Sequence, residues 1–228
     1  PSPCENTSAL IYRTATIQQV AVPSGLSAAG ITQYGMIVPG ADPTSSSRSV
    51  AWAYLRPVSG GQAFLAIALH TDNGKNPTSE ASRVALATAL GPWVDSMNAS
   101  HGMTGTPAIL MTDLNSYAKR QPNGVQKQLV ANGWIDSFTA PKRTNIEFST
   151  INYNPAQVDG KGFPARAYRF KVTKKREATR IDYIMGYGQN ISPLTYEVVM
   201  FLNPDLTFVP DYQASDHQMV KATWSVGA

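Results

Sequence analysis

The feature of this chain that most restricts its fold is an apolar run that has no polar face. Residues 63–69 read Ala-Phe-Leu-Ala-Ile-Ala-Leu, and the run ends at His70. A half-exposed strand alternates polar and apolar residues, so a strand that is apolar on both sides belongs in the middle of a covered sheet. Ser59-Gly60-Gly61-Gln62 can make the turn of a hairpin with the apolar strand at 50–55, since glycine accepts a positive φ.

Further runs predict strands interrupted by two helices. Apolar residues at helical spacing predict a helix over 80–97, and Gly133 ends a shorter predicted helix over 124–132. Residues 139–178 are polar and rich in Pro, Asn and Lys, which predicts a long functional loop. We therefore expect one domain over residues 1–228, of mixed α/β (α+β) class. Besides the hairpin, the predicted strands are 8–13, 30–38, 107–111, 134–138, 181–185 and 220–224.

Composition favours a globular protein with a polyanionic partner. The 228 residues carry a net charge of +4 and have a pI of about 9.2. No run of about 18 apolar residues occurs, so no membrane span is expected. The basic residues crowd into a short stretch before Asp182, which is either a solvated loop or a rim that attracts phosphate. They are Lys171, Lys174, Lys175, Arg176 and Arg180.

Three polar motifs follow His70 along the chain. Thr112-Asp113-Leu114-Asn115 comes directly after an apolar run, where its Asx residues either form a turn or bind a ligand. In an extended segment Asp113 and Asn115 project to the same side, where a carboxylate and an amide could hold a hard cation and a phosphate oxygen. The other two motifs are Arg180-Ile181-Asp182-Tyr183 and Ser215-Asp216-His217.

Asp182 interrupts an apolar segment, and an isolated buried carboxylate is costly, so it requires a partner. Arg180 could pair with it in a structural ion pair, or His217 could contact it at a site. His70 could likewise be a capped structural histidine or a site residue. His101, in Ser100-His101-Gly102, is expected at the solvent-facing end of a helix.

Taken together, these motifs resemble the endonuclease/exonuclease/phosphatase superfamily, which includes pancreatic-type deoxyribonuclease and the abasic-site endonucleases. The family pattern reads roughly H-L, G-D-x-N, R-x-D-Y and S-D-H. It is met here by His70-Thr71, Thr112–Asn115, Arg180–Tyr183 and Ser215–His217. Thr71 replaces the usual Leu, and Thr112 replaces the usual Gly.

The resemblance implies a four-layer sandwich, in which two mixed β-sheets pack face to face with helices outside. It also implies an opening β-α-β portion that carries an Asn and, after Gln, the main metal-binding Glu. Nothing before Ser8 can supply these residues. We therefore expect an N-terminally incomplete domain, about the last two thirds of the family unit. The missing segment would be absent, cleaved, or present as a separate chain.

The resemblance also implies hydrolysis of a phosphodiester with Mg²⁺ or Mn²⁺ as cofactor. In this reading Asp113 and Asp216 bind the metal, and Asn115 orients a phosphate oxygen. Asp182 holds the imidazole of His217, beside which water is activated. The other implied roles are that His70 contacts the phosphate or leaving group, that Glu5 orients His70, and that Arg180, Lys174, Lys175 and Arg176 bind substrate.

The favoured substrate is nucleic acid. One alternative keeps the chemistry and acts on a phospholipid, sphingomyelin or an inositol phosphate. A second alternative is a non-catalytic binding module on the same fold. Cys4 has no cysteine partner within the chain, and the three N-x-S sequons are no more than chance supplies, so the compartment is left open, with an extracellular location favoured.

Overall fold

The computed structural model describes residues 8–38, 48–74, 77–117, 124–151, 165–172, 178–213 and 215–227. The helices in these ranges are α1 (Tyr34–Ile37), α2 (Pro77–Ser100) and α3 (Val125–Ala131), with 3₁₀ turns at Ser137–Thr139 and Pro210–Tyr212. The strands are β1 (Ile17–Gln19), β2 (Ala29–Gln33), β3 (Ser49–Pro57), β4 (Phe64–His70), β5 (Ala108–Asp113), β6 (Ile135–Asp136), β7 (Lys142–Thr144), β8 (Asp182–Tyr187), β9 (Ile191–Val198) and β10 (Val220–Val226).

The strands form two mixed sheets. The larger has the order β1-β3-β4-β5-β8-β6, with β2 also beside β3, and within it only β4 and β5 are parallel. The smaller has the order β10-β9-β7, with β7 parallel to β9. This arrangement confirms the predicted fold class. The hairpin is confirmed as well, since Ala53 of β3 lies opposite Ala66 of β4.

One face of the larger sheet is covered by α2. Leu86, Leu90 and Val94 are fully buried on this helix, and they belong to the same core as Leu65 and Ile67 of β4. Their spacing of about four residues places them on one stripe of the helix, as the sequence predicted. The central strand β4 is therefore buried, which explains its continuous apolar run.

The smaller sheet approaches the larger one at Gly186 of β8. A Cβ added at this position would lie 2.7 Å from the ring of Trp224 and 3.1 Å from Ile191. Both residues belong to the smaller sheet, on β10 and β9. The absence of a side chain at Gly186 therefore allows the two sheets to come into contact.

One predicted strand is wrong, and another is too long. Residues 8–13 form no strand, and Ile11 is 96% exposed. The strand predicted over 30–38 ends at Gln33, where α1 begins. Tyr34 explains the change: its backbone N–H donates to Arg48, and its buried hydroxyl donates to the carbonyl of Ser82. These long-range partners override the strand preference of the local sequence.

The prediction of one long loop over 139–178 is also corrected, because this segment includes β7 and contributes to a second core. Strand β9 was not predicted, since Pro193 and alternating polar residues obscured it. The buried members of this second core are Ala140, Phe148, Ala167, Tyr196, Val198 and Phe208.

His101 is buried rather than exposed, which contradicts the prediction. Only 6% of the residue is accessible, and its ring lies 5.4 Å from those of both Trp52 and Tyr54. Its Nδ1 is 2.7 Å from the carbonyl oxygen of Met97. The helix end therefore folds its imidazole inward, onto the larger sheet. Within the described ranges, no helix combines the length and the apolar character needed to cross a membrane.

Candidate active site

Three of the predicted site residues form a row across the larger sheet. His70 lies opposite Asp113 in the parallel pair of β4 and β5, and Asp113 lies opposite Asp182 in the antiparallel pair of β5 and β8. Their neighbours Leu69 and Tyr183 belong to the core under α2. Because strand residues alternate between faces, the row projects from the opposite face, towards the smaller sheet.

His217 is brought to this row by Thr150, which the sequence did not single out. Thr150 is fully buried, and its hydroxyl accepts hydrogen bonds from the backbone N–H groups of Ile181 and Asp182, at 3.1 and 3.2 Å. Its carbonyl accepts from the N–H of Gln218 at 2.7 Å. The same short segment therefore holds the start of β8 and the Ser215-Asp216-His217 motif next to each other.

The imidazole of His217 lies against the carboxylate of Asp182. Nδ1 is 3.0 Å from Oδ1 and 3.1 Å from Oδ2. The hydrogen bond with Asp182 raises the pKa of His217 to about 9, against partial burial, which lowers it. The ring is therefore an imidazolium at neutral pH in the metal-free protein, and its Nδ1–H donates to the carboxylate.

The pKa of Asp182 is subject to opposing effects in the same site. Burial raises its pKa above the ordinary value, and the charge of Asp113 adds to the rise, while His217 lowers it. Because His217 titrates far above neutral pH, we infer an ion pair at pH 7. Two carboxylates that face each other gain stability from a cation between them.

A divalent cation fits these residues. Asp113, Asp182 and His217 offer ligand atoms that all lie within 4.8 Å of one another. Carboxylate oxygens suit Mg²⁺ and Mn²⁺, and the imidazole of His217 could join them only after it loses a proton. His217 contacts both oxygens of Asp182, and the oxygens of Asp113 face the backbone N–H of Asn115 and Nε2 of His70, so a cation would share the two carboxylates with these contacts.

Asn115 and Asp113 form one local unit. The backbone N–H of Asn115 donates to Oδ1 of Asp113 at 2.7 Å, and its side-chain Nδ2 donates to the carbonyl of Thr71 at 3.2 Å. Asn115 has a φ of 46°, in the left-handed region that asparagine tolerates better than most residues. The motif therefore forms an Asx turn, which confirms its turn interpretation, and the binding interpretation stays a prediction.

His70 is exposed at the end of the row. Its Nε2 lies 3.3 Å from Oδ2 of Asp113 and 3.0 Å from Nδ2 of Asn115. Its Nδ1 lies 2.9 Å from Nη1 of Arg48. Arg48 was missed by sequence reasoning, because it stands in a polar stretch before β3 with no motif around it.

The structure places other predicted residues differently. Asp216 is partly buried and accepts from the hydroxyl of Ser215 at 3.4 Å, outside the cluster of possible metal ligands in the described ranges. Arg180 is 5% exposed, so it offers little surface to a substrate. Its guanidinium forms an ion pair with Asp136 at 3.0 Å. Arg180 therefore takes part in a structural ion pair, but with Asp136 in place of Asp182. Glu5, Lys174, Lys175 and Arg176 lie outside the described residues.

A cavity of about 620 Å³ opens beside the cluster, and Asp113, Asp182 and His217 line part of it. Phe201 and Tyr212 line another part, with their rings stacked at a centroid distance of 4.6 Å and an interplanar angle of 23°. Phe201 is 44% exposed and Tyr212 is 65% exposed. The cavity therefore combines a charged end with an aromatic wall.

The fold resembles that of known structures. An endonuclease/exonuclease/phosphatase family protein from Bacteroides thetaiotaomicron superposes with a TM-score of 0.62 and 21% identity, over 94% of this chain and 68% of that one. This chain has the endonuclease/exonuclease/phosphatase fold. The predicted resemblance is thus confirmed at the level of the fold.

Two further structures share the endonuclease/exonuclease/phosphatase fold with this chain. A mannosyl-6-phosphatase from Bacteroides thetaiotaomicron has a TM-score of 0.62 and 21% identity, over 93% of this chain and 68% of that one. A family protein from Bacteroides vulgatus has a TM-score of 0.61 and 15% identity, over 94% and 68%. No family sequence model and no curated protein sequence matches the chain.

Proposed function

We propose that this chain hydrolyses a phosphodiester bond of nucleic acid with the help of Mg²⁺ or Mn²⁺. The observation that carries the proposal is the row of His70, Asp113 and Asp182 on three adjacent strands, with His217 paired to Asp182. These residues join carboxylates for a cation to imidazoles for a phosphate, and Asp113, Asp182 and His217 line one cavity. The shared fold of the mannosyl-6-phosphatase supports phosphate ester chemistry.

The residues of the chain divide the work as follows. Asp182 accepts a hydrogen bond from Nδ1–H of His217. The imidazolium therefore presents Nε2–H to a phosphate oxygen and stabilises the negative charge that develops there. A water beside this pair attacks in line: its oxygen bonds to phosphorus as the P–O bond to the leaving oxygen breaks, its proton passes to the carboxylate of Asp182, and solvent protonates the leaving oxygen. Asn115 and His70 orient the phosphate from the other side of Asp113. A divalent cation bound by Asp113, with Asp216 as its second predicted ligand, would neutralise charge on the phosphate.

The aromatic wall favours a substrate with planar rings. Exposed aromatic faces are platforms for nucleic acid bases, and stacking contributes about 1–3 kcal/mol per base. Phe201 and Tyr212 present such a platform within the cavity that contains the charged cluster. A base next to the scissile phosphate could therefore stack there. An acyl chain of a lipid would use the same wall less specifically, since it has no ring.

Hydrolysis of bis(p-nitrophenyl) phosphate, of single-stranded DNA and RNA, and of sphingomyelin vesicles tests the proposal. The nucleic acid should be cleaved, activity should vanish with EDTA, and Mg²⁺ or Mn²⁺ should restore it. Asp113→Asn should not recover with either metal. Preference for sphingomyelin would select the lipid alternative, and nucleic acid binding without hydrolysis would select the binding module. Full activity in EDTA would contradict the metal requirement.

One prediction from the sequence stays a prediction, namely that Lys174, Lys175 and Arg176 attract phosphate. Replacing all three with Ala should weaken nucleic acid binding and reduce its salt dependence, because fewer counterions are then released on binding.

A further inference from the structure

Arg48 is the neighbour of His70 that no motif of the sequence accounts for. Its Nη1 lies 2.9 Å from Nδ1 of His70. Its backbone is fixed, because its carbonyl accepts a hydrogen bond from Tyr34 at 2.8 Å and the next residue, Ser49, begins β3. Strands β3 and β4 are antiparallel, so the start of β3 lies beside the end of β4, where His70 stands.

The contact with Arg48 determines which nitrogen of His70 can carry the proton. A guanidinium has only donors and stays charged, so it donates to Nδ1, which must offer its lone pair. A neutral imidazole then has its hydrogen on Nε2. A carboxylate at the same place would require the opposite, a hydrogen on Nδ1.

The surroundings of Nε2 agree with this tautomer. Oδ2 of Asp113 lies 3.3 Å away and can accept from Nε2–H. Nδ2 of Asn115, at 3.0 Å from Nε2, donates to the carbonyl of Thr71, so the amide stays as it is and the carboxylate is the acceptor for Nε2–H. All polar groups of Arg48 are donors, so Nδ1 is the acceptor on the other side of the ring. The arginine at Nδ1 and the aspartate at Nε2 therefore favour the same tautomer.

We propose that Arg48 is a positioning residue, which holds His70 in the Nε2–H tautomer and directs that N–H towards the phosphate bound beside Asp113. It occupies the position at Nδ1 that the family resemblance assigned to an acidic residue, Glu5. His70 consequently offers Nε2–H as a hydrogen-bond donor to the phosphate or leaving oxygen. The kinetic part of this inference rests on the proposed function, whereas the tautomer does not.

Long-range ¹H–¹⁵N NMR spectra of the imidazole rings at about pH 8 test the tautomer directly, because the ¹⁵N shifts distinguish a protonated ring nitrogen from a bare one. The chain has three histidines, and His70→Gln identifies the signals of His70. These signals should show hydrogen on Nε2 in the native protein, and Arg48→Met should weaken this preference, since Asp113 still accepts from Nε2–H. Arg48→Lys should retain it, since an ammonium also donates. An Nδ1–H ring in the native protein, or unchanged signals in Arg48→Met, would overturn the proposal.

Kinetics supply the second measurement. Arg48→Met should lower kcat by about 10-fold or more, the scale for removing a residue that orients another site residue, and Arg48→Lys should restore part of it. Arg56→Met, on β3 and exposed, is the matched control and should leave kcat unchanged. A native rate in Arg48→Met would contradict the positioning role. If no hydrolysis is found in any variant, the proposed function fails, and the NMR spectra still decide whether Arg48 sets the tautomer.

Discussion

Asp113 and Asp182 lie directly opposite each other on the antiparallel strands β5 and β8. Burial raises the pKa of Asp182, and the charge of Asp113 adds to the rise, because the two carboxylates repel each other. The imidazolium of His217 compensates the negative charge of Asp182, and a cation at Asp113 would compensate the negative charge that remains. The sheet register therefore creates an electrostatic requirement that a divalent metal can satisfy.

Each of Asp113→Ala, Asp182→Ala and His217→Ala should lower phosphodiester hydrolysis by roughly 10²–10⁴, the scale for losing an acid–base or charge-stabilising group. The double variant of Asp182 and His217 should be little worse than either single variant, because the two side chains act as one unit. Steady-state kinetics measure both effects. Glu197→Gln, in a partly exposed pair with Lys221, is the control. A near-native rate in His217→Ala would show that the site is wrongly assigned.

The stability of the metal-free protein should fall at alkaline pH. The folded pKa of His217 is about 9, above its ordinary value of 6.5. The stabilisation is therefore complete below pH 6.5 and is lost as pH rises through 9. Urea unfolding in EDTA at about pH 6 and 9.5 should reveal a loss on the order of 1 kcal/mol, because water screens this partly exposed pair. Asp182→Asn should reduce this difference in unfolding free energy between the two pH values. An equal difference in both proteins would exclude the pair as its cause.

Breaking the buried ion pair of Arg180 and Asp136 should strongly destabilise the fold. Asp136→Ala leaves the guanidinium, which is 5% exposed and 4.0 Å above the ring of Phe138, without its carboxylate. The expected cost in unfolding free energy is about 3–5 kcal/mol. Chemical denaturation measures it. Glu197→Ala breaks a more exposed pair with Lys221 and should cost only about 0–1 kcal/mol. Similar costs for the two variants would contradict a structural role for Arg180.

His101→Ala should destabilise the protein without altering its chemistry. The buried ring packs against Trp52 and Tyr54, so its removal leaves a cavity that costs about 2–4 kcal/mol. Thermal or urea unfolding should show the loss, while kcat of the remaining folded protein should equal that of the native chain. A lowered kcat at full stability would instead give His101 a functional role.

Gly186→Ala should weaken the contact between the two sheets. The new Cβ would lie 2.7 Å from the ring of Trp224, which must shift, at a cost of about 1–3 kcal/mol. Unfolding by urea, followed through tryptophan fluorescence, measures the change. Gly227→Ala is the matched control, since its nearest atom would be at 3.6 Å, an ordinary contact. Equal stability of the two variants would show that the sheets can separate locally at no cost.

The sequence by itself determined the elements whose pattern is dictated by burial. The run at 63–69 had to be a central strand, and the apolar spacing over 80–97 had to be a helix, because each pattern buries its side chains in only one kind of element. The positions of His70 and Asp113 at the ends of apolar runs, and of Asp182 within one, also predicted the candidate site. In each case the local order of residues carried the information.

Tertiary structure alone decided the contacts between distant segments. The sequence could not show that Thr150 would link β8 to His217. It also could not show that Arg48 would contact His70, or that Asp136 would form an ion pair with Arg180. Each of these partners is separated from its counterpart by more than 20 residues. Hydrogen bonds and ion pairs of this kind depend on register and packing, which only the folded chain fixes. A burial pattern, in contrast, is contained in the residues of a single helix or strand.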